Sequence, residues 1–138
     1  MKKILIILFS ILLLTGCTSK TLVCEKIEDD TDIYTVSGKH TIEFKSDKIS
    51  DFVSTVSIKL KDDSIVKISD FKSVLEQQEK QYTDEGFNTK IETKDNTSTL
   101  TISTMGDSKE LVNKFFYTED YSYDYIKKNL KKEGYTCK

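Results

Sequence analysis

Four groups of residues in this 138-residue chain have the chemistry to act. His40 is the only histidine, so a serine–histidine–carboxylate arrangement would have to use it. It falls in the middle of an alternating stretch, on the apolar side. A packed histidine is the ordinary outcome there and a catalytic one the exception. The carboxylate pairs Asp29/Asp30 and Asp62/Asp63 could share a proton or a cation, but both sit among turn residues, where solvated charge is the ordinary outcome. The acidic run Glu28-Asp29-Asp30-Thr31-Asp32 lacks the glycine and the distal glutamate of a calcium loop. The run from Tyr117 to Tyr125 holds four of the seven tyrosines. Tyrosine joins an apolar ring to a polar tip, which suits contact surfaces. Tyr117, Tyr121, Tyr123 and Tyr125 are therefore a candidate binding surface. The competing reading is a helix entry, with Glu119, Asp120 and Asp124 complementing the helix dipole.

The fourth group is the cysteines. Cys17 lies directly behind Leu14-Thr15-Gly16, and the apolar run from Ile4 to Leu14 precedes these after Lys2 and Lys3. Eleven helical residues span only about 16 Å, short of the roughly 30 Å hydrocarbon core, so the run reads as a signal segment rather than a transmembrane helix. The pattern resembles the bacterial lipobox. In that motif the cysteine becomes thioether-linked to a diacylglyceryl group and is the first residue after cleavage. Two or three acyl chains, at about 0.8 kcal/mol per buried methylene, anchor a protein stably. The resemblance places the protein on the extracytoplasmic face of a cell membrane, held by lipid on Cys17. Cys24 and Cys137 remain. Secretion permits a disulfide between them, and two free thiols are the alternative. With a single histidine, no cysteine has zinc-ligand spacing, so no metal site and no cofactor is expected.

Cleavage ahead of Cys17 leaves 122 residues with a formal charge of −4. That is one domain, long enough to bury a useful core. A mildly acidic domain without a basic block is a poor nucleic-acid binder. All 21 basic residues are lysine, so no bidentate guanidinium is present to clamp phosphate or carboxylate. No glycine-rich phosphate loop occurs either.

The rest of the chain supplies elements that position these groups. Thr18–Thr21 reads as a short tether and the folded domain as 22–138. Leu22–Glu28 reads as a first strand. Tyr34, Val36, Gly38, His40, Ile42 and Phe44 alternate with polar residues, as in a half-buried antiparallel strand. Ser46-Asp47-Lys48 turns into a second strand over 49–60, with Phe52, Val56, Ile58 and Leu60 inward. A helix follows, capped at Ser69 or Asp70. Its inward face is Phe71, Val74, Leu75, Gln78 and Tyr82, and Gly86 closes it. Phe87–Thr93 and Ser98–Thr104 form a hairpin with Leu100 and Ile102 inward. Gly106-Asp107-Ser108 opens a short piece carrying Leu111, Val112, Phe115 and Phe116. A last helix over 122–133 points Tyr123, Ile126 and Leu130 inward, and Tyr135-Thr136-Cys137 runs out extended. Strands with one apolar face need one covering layer. The predicted fold is therefore α+β: a two-layer sandwich with an antiparallel sheet of four to six strands and two or three helices on one face.

This layout resembles the YehR-like small bacterial lipoproteins. The lipobox, the charged hairpin Phe44-Lys45-Ser46-Asp47-Lys48-Ile49, the helix ending in Gly86 and the close on Gly134-Tyr135 carry the resemblance, which covers nearly all of the chain after Cys17. It implies a single-domain lipoprotein and hands over no catalytic residue. The Cys24/Cys137 pair looks like a feature of only part of that family. The function expected is a non-enzymatic binding or accessory module whose partner is an envelope protein or a small ligand. The alternatives are a small envelope hydrolase and a purely structural or inhibitory surface domain.

Overall fold

The structure, a computed structural model, describes residues 18–62, 65–104, 109–116 and 120–138. Among them six strands form: β1 (Ser19–Asp30), β2 (Tyr34–Lys45), β3 (Lys48–Leu60), β4 (Asn88–Lys94), β5 (Thr97–Thr104) and β6 (Thr136–Cys137). They join in one antiparallel sheet in the order β4-β5-β3-β2-β1-β6. Three α-helices accompany it: α1 (Lys72–Asp84), α2 (Lys109–Phe116) and α3 (Tyr123–Lys132). The chain is α+β. Cys17 with the run ahead of it, Asp63, the Gly106-Asp107-Ser108 segment, Tyr117, Glu119 and the Leu111 side chain lie outside the described residues.

Alternation along the strands decides burial. Leu22, Ile42, Phe44, Phe52, Leu100 and Ile102 are sealed from solvent and form the centre of the core, joined by Leu75 of α1, Val112 of α2 and Ile126 and Leu130 of α3. Each such side chain contributes on the order of 2 kcal/mol through burial. The intervening positions carry hydroxyls, and Ser57 and Thr99 hydrogen-bond across β3 and β5 at 2.8 Å.

Three local expectations change. Ser19, Lys20 and Thr21, read as tether, are the first residues of β1, because they pair with Lys45, Phe44 and Glu43 of β2. Glu28, Asp29 and Asp30, read as part of a turn, extend β1, and Thr31 makes the turn by bonding the backbone of Tyr34. The start of the first helix is not capped at Ser69 or Asp70. A 3₁₀ turn, Ile68–Phe71, precedes α1, and the Asp70 carboxylate reaches back to the Lys67 amide at 2.9 Å. On α1 only Leu75 is fully buried, and Val74 is half exposed.

Both glycine stops behave alike. After α1 the amides of Gly86 and Phe87 bond the carbonyls of Thr83 and Tyr82. After α3 the amides of Gly134 and Tyr135 bond those of Lys131 and Leu130. Each is a Schellman closure with the glycine at positive φ. In the β2–β3 turn Ser46 and Asp47 both have positive φ, 51° and 58°. That is a type I′ turn, for which Asn-Gly is the preferred pair. Replacing Ser46-Asp47 by Asn-Gly should therefore raise stability by about 1 kcal/mol, visible as a higher urea midpoint with an unchanged slope.

Candidate functional site

Strand pairing places the chemistry of the middle of the sheet in one row. Cys24 of β1 stands opposite His40 of β2, His40 opposite Ser54 of β3, and Ser54 opposite Ile102 of β5. Cys137 of β6 stands on the other side of Cys24. The two sulfur atoms sit at disulfide bonding distance, with their Cα atoms 4.1 Å apart. The bridge closes the row at the sheet edge.

Aromatic residues from elsewhere in the chain converge on His40. The Schellman closure at Gly134 swings Tyr135 back over the strands, where its ring lies 4.8 Å from the His40 ring. Helix α2 contributes Phe115 and Phe116, at 5.6 and 5.7 Å. Phe52 stacks at 6.3 Å. A cavity of about 390 Å³ opens among these groups, with His40, Tyr82, Phe115, Phe116 and Tyr135 in its lining and the polar groups of Glu28, Ser54 and Glu133 beside them. That volume lies within the range of small-molecule sites.

His40 is only 7% exposed and its Nδ1 has no hydrogen-bond partner. Burial pushes its pKa down from the ordinary 6.5 to about 4, and the nearby Glu28 carboxylate opposes this only in part. The imidazole is therefore neutral at physiological pH. A buried polar nitrogen left without a partner costs about 1–3 kcal/mol.

Glu28 has a second role. The register of β1 and β2 shifts between Ile27 and Asp29, which leaves Glu28 as an extra residue in the strand. Bulges re-aim side chains, and this one lets the Glu28 carboxylate accept the Tyr135 hydroxyl at 2.8 Å and pair with Lys26 at 3.0 Å. Burial by itself would raise the Glu28 pKa. The hydrogen bonds from Tyr135 and Lys26 outweigh it and hold the group below the usual carboxylate range. Burial, together with the same contact, pushes the Tyr135 hydroxyl well above its ordinary value. Gly38 makes room for this pair, since a Cβ there would stand 3.2 Å from the Tyr135 hydroxyl. Gly38→Ala should displace that hydroxyl and weaken its bond to Glu28. The check is a loss of about 1 kcal/mol in urea unfolding, absent when Tyr135 is already Phe.

The other candidate residues are scattered. Asp29 accepts the Tyr34 hydroxyl at 3.1 Å, and Asp30 pairs with Lys61 at 3.0 Å and with Thr35 at 2.8 Å, so this pair braces the end of the β1–β2 hairpin. In the tyrosine run, Tyr121 and Tyr123 pack against the core. Tyr125 is 38% exposed and offers the most surface of the three described. Ser54 and Tyr82 are not singled out by the sequence for chemistry, and Glu28 enters only as part of the acidic run at the end of the first strand. Alternation along β3 puts Ser54 on the Phe52 face, and that signal was available. No short-range pattern points to the contact of Glu28 with Tyr135, which depends on the bulge.

Residues 1–18 match the family model described as the prokaryotic membrane lipoprotein lipid attachment site. No curated protein and no solved structure matches the chain. Among the described residues no helix is long and apolar enough to cross a membrane. The chain thus carries a lipoprotein attachment site at its N-terminus, and lipid on the cysteine of that site implies anchoring to a membrane.

Proposed function

We propose that this protein is a non-enzymatic binding module, anchored by lipid on Cys17 to the extracytoplasmic face of the cell membrane. Its ligand is a small molecule with an apolar body and a few hydrogen-bonding groups, held in the cavity over His40. The observation that carries this reading is the unpartnered His40 Nδ1 inside a ring of aromatic side chains. Aromatic and aliphatic walls with a few polar groups, here His40, Ser54, Glu28 and the Tyr135 hydroxyl, describe a small-molecule site. The layout of the chain, read as a two-layer sandwich with helices on one face and resembling the YehR-like lipoproteins, agrees with a single-domain accessory role.

A hydrolytic reading has one observation in its favour: Ser54 directly opposes His40. Two observations weigh against it. A histidine with a pKa of about 4 is a weak proton acceptor at neutral pH. The Glu28 carboxylate is engaged by Tyr135 and Lys26. Full turnover by His40→Ala in any assay that detects activity would remove the histidine version of this alternative.

The test of binding is a thermal-shift screen of the oxidised domain against small aromatic and aliphatic compounds, sugars, wall fragments and lipids. A ligand at 100 times its Kd adds about 2.7 kcal/mol, a rise of several degrees for a domain of this size. The expected result is a shift that His40→Gln and Phe116→Ala each reduce. No shift across the panel, or one indifferent to both substitutions, would move the contact to a protein partner at the Tyr125 surface.

A further inference from the structure

We propose that one end of the sheet, made by the start of β1, the β2–β3 turn and the start of α3, rests on the phospholipid headgroup layer of the membrane that holds the Cys17 lipid. This goes beyond the ligand reading and does not depend on it. The argument begins with the length of the leash. The Ser46 amide donates to the Thr18 carbonyl at 3.3 Å, and Ser19 is already paired with Lys45. Thr18 alone separates the lipid-bearing residue from this paired backbone, and one residue adds at most about 3.6 Å of reach. The headgroup layer on each side of the hydrocarbon is itself roughly 5–7 Å thick. An end tied so closely cannot stand clear of it.

The residues gathered at this end suit that layer. The Lys20 ammonium lies 5.3 Å from the centre of the Tyr123 ring, and the Lys127 ammonium lies at the same distance. The Tyr123 ring packs edge-on against Phe44 at 5.3 Å. Both ammonium groups lie over the ring face, and tyrosine and lysine, each an apolar body with a polar tip, are residues that suit a membrane interface. Lys45 and Lys48 flank the turn, with Asp47 and Glu43 between and beside them. The surface is of mixed sign, so its apposition rests on the short leash and on interfacial chemistry, with no large net charge.

The geometry also sets the orientation of the rest. β1 runs from Ser19 to Asp30. At about 3.3 Å per residue its far end, with the Thr31–Ile33 turn, stands roughly 35 Å away. Cys24 and His40 share a level five residues along β1, which holds the cavity about 17 Å above the anchored end.

The experiment uses the full lipidated protein in vesicles of phosphatidylcholine and phosphatidylglycerol that contain a headgroup spin-labelled lipid. Lys48→Cys and Asp32→Cys, both at exposed positions, are each labelled with a small fluorophore. The expected result is quenching several-fold stronger at position 48 than at position 32. Equal quenching, as for a domain lying on its side or tumbling freely, would overturn the proposal, and so would stronger quenching at position 32. A thermal melt of each labelled variant in detergent, compared with the unlabelled protein, verifies that both report on the native fold.

Discussion

Reducing the Cys24–Cys137 bridge is expected to destabilise the domain by up to about 5 kcal/mol. The two residues are 113 apart in sequence. In the chain-entropy treatment, a loop of that length costs the unfolded chain about 16 cal/mol/K of entropy once closed. The figure is an upper value, because a reduced unfolded chain keeps some structure. The bridge also has a local role. β6 pairs with β1 through Cys24–Cys137 and Glu25–Thr136 alone, with Lys138 adding two backbone bonds to Val23. Such a short strand is held by its covalent link more than by its ladder. Loss of the link should free β6 and, with it, the Tyr135 ring that covers His40. Thermal melts with and without reductant measure the first effect, and a fall of 10–20 °C in Tm is expected at roughly 4 °C per kcal/mol. Cys24→Ala/Cys137→Ala should reproduce the fall in the absence of reductant. An unchanged Tm on reduction would show that the bridge contributes nothing.

Acid should destabilise the protein well above the range in which its carboxylates titrate. The folded-state pKa of His40, about 4, lies below its ordinary value of 6.5. Between those values the unfolded chain binds a proton that the folded protein excludes. Stability therefore falls as pH drops through that window, at up to about 1.4 kcal/mol per pH unit. The contribution is fully present above pH 6.5. About 2–3 kcal/mol is lost by pH 4.5. The charged group acting on His40 is Glu28, whose carboxylate slightly favours the protonated ring. Tyr135, above the ring, stays neutral across this range because its own pKa is raised. Glu28 and Asp30 also lose stabilisation in acid, since both are held below their ordinary values of 4.5 and 3.8. Their losses begin near or below those values, so the interval from pH 6.5 to 5 belongs to His40. Urea midpoints measured across pH 4.5–7.5 test this. His40→Gln should flatten the profile over that interval. A wild-type profile already flat there would mean that the imidazole is solvated or paired in the folded protein.

Much of the fold was legible because its signals are local. Alternation from Tyr34 to Phe44 fixed which side of β2 is buried, because successive side chains of a strand point to opposite faces. Gly86 and Gly134 marked two helix ends, because glycine enters the left-handed conformation at little cost. The run ahead of Cys17 marked the lipid address by length and composition. Other features depend on how strands meet. Strict alternation puts Ile49 on the face opposite Phe52, yet Ile49 is buried with Phe44. The β2–β3 register shifts between Glu43 and Phe44, with Ser50 as the extra residue, and this turns Ile49 inward. The same kind of shift in β1 aims Glu28 at Tyr135.

The candidate site shows the same division. The sequence placed His40 on an inward face and raised a bond between Cys24 and Cys137. It could not place Cys24, His40 and Ser54 in one row, because inter-strand register follows from the turns and bulges between distant segments. Nor could it bring Phe115 and Phe116, some 75 residues along the chain, onto the His40 ring. Local periodicity determined the elements, and the composition of the first residues determined the lipid attachment site. Tertiary pairing decided the cavity and the neutral state of its histidine, because both arise from groups that are neighbours only after the sheet has formed.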